Sequence, residues 1–302
     1  MTRNRAVPAA AALLAVLAAS SAATQQPSQA LSVQQLSPTV YWVTGGGGNS
    51  GIVIGTTGVV VIDAKTSPAS GKALLDEIAK LTPKPVTHVI LTHSDGDHVN
   101  GLASFPAGVT VIAHRGAKRE MDAALAAGGR GAPPADHMPS QVVGGDREHL
   151  TLDGVPFELR HWAPAHTSGD LVVYLPEQHI VFTGDIIATN RADPLIHLEK
   201  NGSSAGWETT AQGILGLDAD RFVPGHGELQ LKSDIQARLA SATEKRARIA
   251  ALVKEGKSLD EIRAAVGDPA PVAGGRGGGF ASFTDVVYQE LTRGARSSHE
   301  HY

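Results

Sequence analysis

Imidazole and carboxylate side chains are spaced in this chain as ligands for divalent cations would be. His93, Asp95, Asp97 and His98 crowd one short stretch, and His166, Asp185 and His226 follow singly at wide intervals. Imidazole nitrogen and carboxylate oxygen are donors that a borderline ion such as zinc accepts, and a folded sheet can gather a dense loop and distant single ligands onto one centre. Together these side chains can hold two metal ions. Ions about 3.5–4 Å apart share a water, lower its pKa towards neutrality and hold it against an electrophilic carbonyl. Hydrolysis is the chemistry expected.

The chain has 13 histidines, so most have other work. His88, His114, His161 and His179 lie in or beside strand patterns and read as structural. His299 and His301 belong to the terminal tail. His197, Asn190 and Ser203 are candidate substrate contacts, while Thr167 and Asp170 suit the turn that carries His166. The glycine run 45–48 is no phosphate cradle, because no Lys-Ser or Lys-Thr follows it and no helix opens there.

These ligands need strands to carry them. Short apolar runs at 39–44, 51–54 and 58–62 read as an opening meander, and 86–92 as a buried strand running straight into the His93 loop. Further strands are expected at 109–113, 150–152, 157–162, 170–175 and 179–183. Helical periodicity marks 70–81 and 115–127, and a long amphipathic helix over 231–255 turns Ile235, Leu239, Ile249 and Leu252 to one side. Ser258 and Glu261 have capping-box spacing, 274–279 reads as a linker, and 283–291 as a closing helix. Residues 128–146 are expected to form a mobile surface loop and 188–204 a second polar loop, the two setting substrate choice. Sheet-rich halves joined by helices imply two packed sheets with helices outside.

Composition narrows the class further. The 302 residues are 42% hydrophobic and 19% charged, enough for a sizeable core. Arg3 and Arg5, an apolar stretch over 6–19 and small residues to Ala23 follow the order of a secretory signal, so 1–23 is expected to be cleaved and the mature protein to be periplasmic or secreted, with no stable membrane insertion. The chain has no cysteine, so no disulfide staples it. Its formal charge of −4 falls by two, to −6, when Arg3 and Arg5 leave, which disfavours nucleic acid, and the partner expected of a hydrolase is a small-molecule substrate. Nothing in the sequence sets an oligomeric state.

A strand leading into His93-x-Asp95-x-Asp97-His98, then Pro164-Ala165-His166-Thr167-Ser168-Gly169-Asp170, Phe182-Thr183-Gly184-Asp185 and Val223-Pro224-Gly225-His226-Gly227, in that order, resembles the metallo-β-lactamase-fold superfamily of hydrolases. The resemblance covers about residues 36–231. It implies an α/β (α+β) fold, an αββα sandwich of two mixed sheets with external helices and the metal site at strand ends. The expected division is a 36–255 metallo-β-lactamase-like domain and a 256–302 C-terminal helical extension and tail.

By the same resemblance, His93, position 95 and His166 hold one ion, Asp97, His98 and His226 the other, and Asp185 bridges them. Asp97 would also orient the nucleophile, and the cofactor would be two zinc ions. The family's second motif histidine is Asp95 here, and that harder, charged ligand admits iron or manganese, or a partly empty first site. Without cysteine, the second site must follow the histidine-using branches. The expected activity is hydrolysis of a β-lactam, lactone, ester or thioester. The alternatives are a diiron oxidoreductase of the same fold and a non-catalytic metal-binding member.

Overall fold

The computed structural model describes residues 30–128, 133–268 and 280–297. The expected signal, the 274–279 linker and the His299 and His301 tail lie outside these residues.

Seven strands form the first sheet, in the order β1 (Ser32–Gln35), β2 (Val40–Thr44), β3 (Ser50–Ile54), β4 (Val59–Ile62), β5 (Val86–Ile90), β6 (Thr110–His114) and β7 (Gln141–Val143). Pairing is antiparallel from β1 to β4 and parallel from β4 to β7. Parallel neighbours need crossovers, and helices α1 (Pro68–Leu81), α2 (Gly96–Val99) and α3 (Arg115–Ala126) lie within them. The second sheet is mixed too: β8 (Arg147–Leu152), β9 (Val155–Arg160), β10 (Val172–Leu175) and β11 (Ile180–Ala188) pair antiparallel, and β12 (Arg221–His226) runs parallel to β11.

Residues from both sheets, among them Val53, Ile62, Ile90, Phe157, Leu159, Val173 and Phe182, bury one another between the layers. The outer face of the first sheet packs Val61, Val89 and Val111 against Leu74 and Ile78 of α1 and Met121 of α3. The outer face of the second packs Val181 and Phe222 against α4 (Ser204–Leu215), α5 (Lys232–Lys254), α6 (Leu259–Val266) and α7 (Phe283–Ser297). This is the αββα sandwich of mixed sheets expected from the sequence. Ile262 of α6 and Phe283, Val286 and Val287 of α7 join that outer core and are essentially buried.

Local chemistry explains the helix boundaries. Ser258 accepts from the Glu261 amide and Glu261 reaches back to Ser258, closing the expected capping box of α6. Along α5, Ile235 and Ile249 are buried while Leu239 and Leu252 pack partly buried against the same core.

The structure corrects several expectations. Within 128–146, residues 135–137 form a 3-10 turn with His137 buried, its Nε2 3.0 Å from the Phe105 carbonyl, and Gln141–Val143 add a strand to the sheet edge. A three-residue strand is too short to show alternation. The loop expected over 188–204 is partly buried, with Leu195, Ile196 and His197 facing inwards. Helix α4 follows it and strand β12 carries His226, and neither element stood out in the sequence.

Candidate metal centre

All seven expected ligands converge: His93, Asp95, Asp97 and His98 follow β5, His166 lies in the connection from β9 to β10, Asp185 lies within β11 and His226 ends β12. Four groups of ligand atoms, each spanning less than 4.8 Å, occur there: Asp97–His98–His226, His93–His166–Asp185, Asp95–His166–His197 and Asp63–His93–His98. The first is the expected second site. Asp185 lies between sites, with Oδ1 3.3 Å from His98 Nε2 and Oδ2 3.4 and 3.9 Å from His226 and His166 Nε2. The expected first site is modified: Asp95 Oδ2 is 3.7 Å from His93 Nε2, but its tight grouping is with His166 and His197.

Buried partners fix which ring nitrogen of His93, His98 and His166 faces inwards. Asp63 accepts from the Thr92 amide at 2.8 Å and the Thr92 hydroxyl at 2.7 Å, and its Oδ2 is 2.8 Å from His98 Nδ1. Because Thr92 Oγ1 gives its proton to Asp63, it accepts from His93 Nδ1 at 2.9 Å. His166 Nδ1 donates to the Leu195 carbonyl at 2.9 Å. In each case the Nε2 lone pair is turned to the centre, as a metal ligand requires.

The donor set fits a cation. His98 Nε2 and His226 Nε2 are only 3.3 Å apart, and His166 Nε2 faces Asp95 Oδ2 at 3.1 Å, so lone pairs confront one another unless positive charge sits among them. His93 Nε2, Asp185 Oδ1 and both ring nitrogens of His197 are buried without a hydrogen-bond partner. Unpartnered buried polar atoms cost about 1–3 kcal/mol each, which ligation would recover.

The proton affinities point the same way. For His166 burial works to lower the pKa, but the Asp95 hydrogen bond and the charges of Asp185 and Asp95 carry it up to about 9. His98 behaves similarly: burial opposes protonation, and Asp185 and Asp63 raise its pKa well above the ordinary value. His93, with burial and neighbouring His98 against it, is pushed down to about 3. Burial works to raise Asp95, Asp97 and Asp185, yet the surrounding imidazoles hold all three below the ordinary carboxylate range, with Lys200 helping at Asp95. A centre of carboxylates and inward lone pairs attracts positive charge, and a proton or a divalent ion satisfies it.

Backbone features deliver these groups. Gly48 stands where a Cβ would lie 2.2 Å from His98 Cε1, so the glycine run expected to have no phosphate role gives the imidazole room. Asn49 Nδ2 donates to the Pro224 and Gly227 carbonyls at 2.9 and 3.0 Å, tying that run to the His226 turn. Lys65 is fully buried and its Nζ donates to Val43 and Gly48 carbonyls at 2.8 and 2.9 Å. Asp170 accepts from the Thr167 amide and hydroxyl and the Ala165 amide, holding the His166 turn. Burial lifts its pKa to about 6.

The centre opens into a cleft. His93, His98 and His166 are essentially inaccessible, whereas Asp97 and His226 keep 37% and 23% side-chain exposure at the mouth of a cleft of about 180 Å³. Asn190, Arg191, Leu195, His197 and Phe280 complete its walls. Asn190 and His197, both candidate substrate contacts from the sequence, line the cleft. Ser203 does not line it: its hydroxyl accepts from the Gly206 amide and caps α4. His114 caps α3 and stacks on His161, and His161 and His179 contact backbone carbonyls, as structural residues do. His88 is half-buried beside Thr87 rather than a core side chain. Asp63, Asn49, Lys65 and Lys200 were missed in the sequence, where only an acidic residue after an apolar strand hinted at Asp63.

The metallo-beta-lactamase superfamily model matches residues 43–226, and the chain belongs to that family. The alpha and beta subunits of 2,4-dinitroanisole O-demethylase from Nocardioides sp. (strain JS1661) are 28% and 32% identical over 65% and 70% of this chain. The chain spans only 58% and 64% of their lengths. A type 2 metallo-beta-lactamase of Bacillus cereus is 25% identical over 60% of this chain and 68% of its own. Among solved structures, a stereoselective inverting sec-alkylsulfatase from Pseudomonas sp. superposes with a TM-score of 0.67 at 20% identity, covering 88% of this chain and 50% of that one, which supports the fold.

Proposed function

We propose that this protein is a metal-dependent hydrolase of a small carbonyl substrate: a β-lactam, lactone, ester or thioester. One observation carries the reading: buried imidazoles and carboxylates meet at a centre that opens into the cleft edged by Asp97 and His226. A structural metal site is closed, whereas a catalytic one keeps an open side. Zinc at two positions is the cofactor proposed, held by His93, His166, Asp95 and Asp185 on one side and by Asp97, His98, His226 and Asp185 on the other. Bound there, divalent ions supply Lewis acidity and an activated water.

The chain's own side chains do the rest. Asp97 Oδ2 lies 2.9 Å from His226 Nε2 at the open face, placed to orient a water and take up its proton. Leu195 and Phe280 offer apolar contact to a substrate body, and Arg191 offers a cation to an anionic group. The test is a panel of chromogenic cephalosporin, lactone, ester and thioester, extended to a sec-alkyl sulfate and an aryl methyl ether because relatives act on such compounds. Chelator-sensitive turnover of a carbonyl substrate supports the proposal. Turnover of the sulfate or ether alone replaces its substrate class, and no turnover of any member refutes it. Export with cleavage after Ala23 belongs to the same proposal, and N-terminal sequencing of the secreted protein tests it.

A further inference from the structure

His197 is the least expected member of the centre. It lies between β11 and α4, and its backbone is locked: its amide donates to the His166 carbonyl at 2.8 Å, and its own carbonyl accepts from Gly202 at 2.9 Å and Lys200 at 3.0 Å. The ring is 4% exposed, and neither nitrogen has a hydrogen-bond partner. One face stacks on Phe280, with centroids 4.3 Å apart and planes at 23°. Apart from a 3.3 Å approach of Nδ1 to the exposed Glu199 carboxylate, the ring has no partner of the kind that holds a structural histidine, and it lacks the exposure of a residue waiting for substrate.

Its surroundings are those of a ligand. Nδ1 is 3.6 Å from Asp95 Oδ2, and the same oxygen is 3.1 Å from His166 Nε2. Donors around a tetrahedral ion with bonds of about 2 Å lie ~3.3 Å from one another, so these separations approach the edges of one coordination polyhedron. Asp95 is turned to serve it. Lys200 Nζ donates to the other carboxylate oxygen, Oδ1, at 2.5 Å and to Ser94 Oγ at 2.8 Å, so that Oδ2 faces His166 and His197. The lysine charge also offsets the extra negative charge that a carboxylate brings to a ligand position.

We propose that His197 is a metal ligand, joining Asp95 Oδ2 and His166 Nε2 on one ion, and that Lys200 positions Asp95 for this role. The proposal rests on the metal-binding part of the function proposed above. It changes the first site in kind: an imidazole from a distant loop supplies what the motif position itself lacks.

Demetallated full-length protein, as wild type and as His197→Ala, His197→Gln, Lys200→Met and Asn190→Ala, would be titrated with cobalt(II) and zinc(II). The readouts are visible cobalt absorption, metal content and chelator competition, with circular dichroism of each apo form as the folding control. His197→Ala and His197→Gln are expected to weaken one ion about tenfold or more and to change the cobalt spectrum. Lys200→Met should weaken the same ion less, and Asn190→Ala should match wild type. The glutamine variant, closer in size to histidine, carries the test if the alanine variant fails to fold. Unchanged affinity and spectrum in a folded His197 variant overturn the inference and leave the metal-dependent reading standing. A wild type that takes up neither ion overturns both.

Discussion

Replacing Asp63 with Asn tests whether a residue outside the ligand set controls the centre. Asp63 accepts three hydrogen bonds, from the Thr92 amide and, through Oδ2, from the Thr92 hydroxyl and His98 Nδ1. Its φ of 58° lies in the left-handed region, which Asn tolerates, so the substitution adds no backbone penalty. Asn can keep its oxygen on the Thr92 amide only by presenting its NH2 group to His98 Nδ1. That ring must then accept at Nδ1 and carry its proton on Nε2, which faces Asp185 and His226, and a protonated Nε2 cannot bind metal. The reverse orientation abandons the Thr92 amide. Either way a charge-assisted bond worth about 1.5–3 kcal/mol is lost. Loss of such a partner costs roughly 10–100-fold in metal affinity, or ~1.4–2.8 kcal/mol. Zinc competition against a chromophoric chelator reads this directly, and denaturation of the apo protein reads the stability loss. Affinity within about twofold of wild type would refute the argument that Asp63 sets the His98 tautomer.

Three further substitutions probe the frame. Gly48→Ala places a Cβ 2.2 Å from His98 Cε1 and should cost the ion of the Asp97–His98–His226 group, and full metal content by elemental analysis would contradict this. Lys65 is held down to about 7 from its ordinary 10.5 by burial, with Asp63 acting in the opposite direction. Between those pH values the unfolded chain binds more protons than the folded one, so this lysine makes stability rise with pH, by at most ~1.4 kcal/mol per unit. Lys65→Met should flatten the rise in apo-protein urea stability from pH 7 to 10, and parallel curves for the two proteins would count against that origin. Trp207 is fully buried and its Nε1 donates to the Ile186 carbonyl at 2.6 Å, so Trp207→Phe should cost about 1–3 kcal/mol in urea denaturation while metal content stays unchanged.

What the sequence revealed and what it hid divide on physical lines. The β5 strand announced itself as an apolar run ending at His93, and α5 through the spacing of its apolar face, because both signals are local. Helix α4 stayed hidden because it contains Gly206 and Gly213, which lower helix propensity. In the fold they are needed: a Cβ at Gly206 would sit 1.8 Å from the Pro164 carbonyl oxygen, and one at Gly213 would meet the Trp162 ring. Strand β12 was masked by Pro224 and Gly225, which read as a turn while His226 was still legible from its motif. Asp95 stood out as a departure in the ligand pattern, but its partners Lys200 and His197 lie about a hundred residues away, and no pattern within either segment links them. Local order drew out the candidate ligands and, in Thr167 and Asp170, the turn that holds His166, whereas only tertiary approach brought Asp63 and Lys200 to the centre.

Phe280, stacked on His197, is the lead-in to α7, whose Phe283, Val286 and Val287 are buried in the outer core. Among the described C-terminal residues, Phe280 is the one that lines the cleft, and it joins the cleft wall to the C-terminal helix. Linkage makes such a contact reciprocal: whatever a ligand gains from an ordered His197–Phe280 pair, the docked helix gains in resistance to undocking. Protease susceptibility of the C-terminal segment would thus serve as a gauge of occupancy at a centre to which its described residues contribute no ligand.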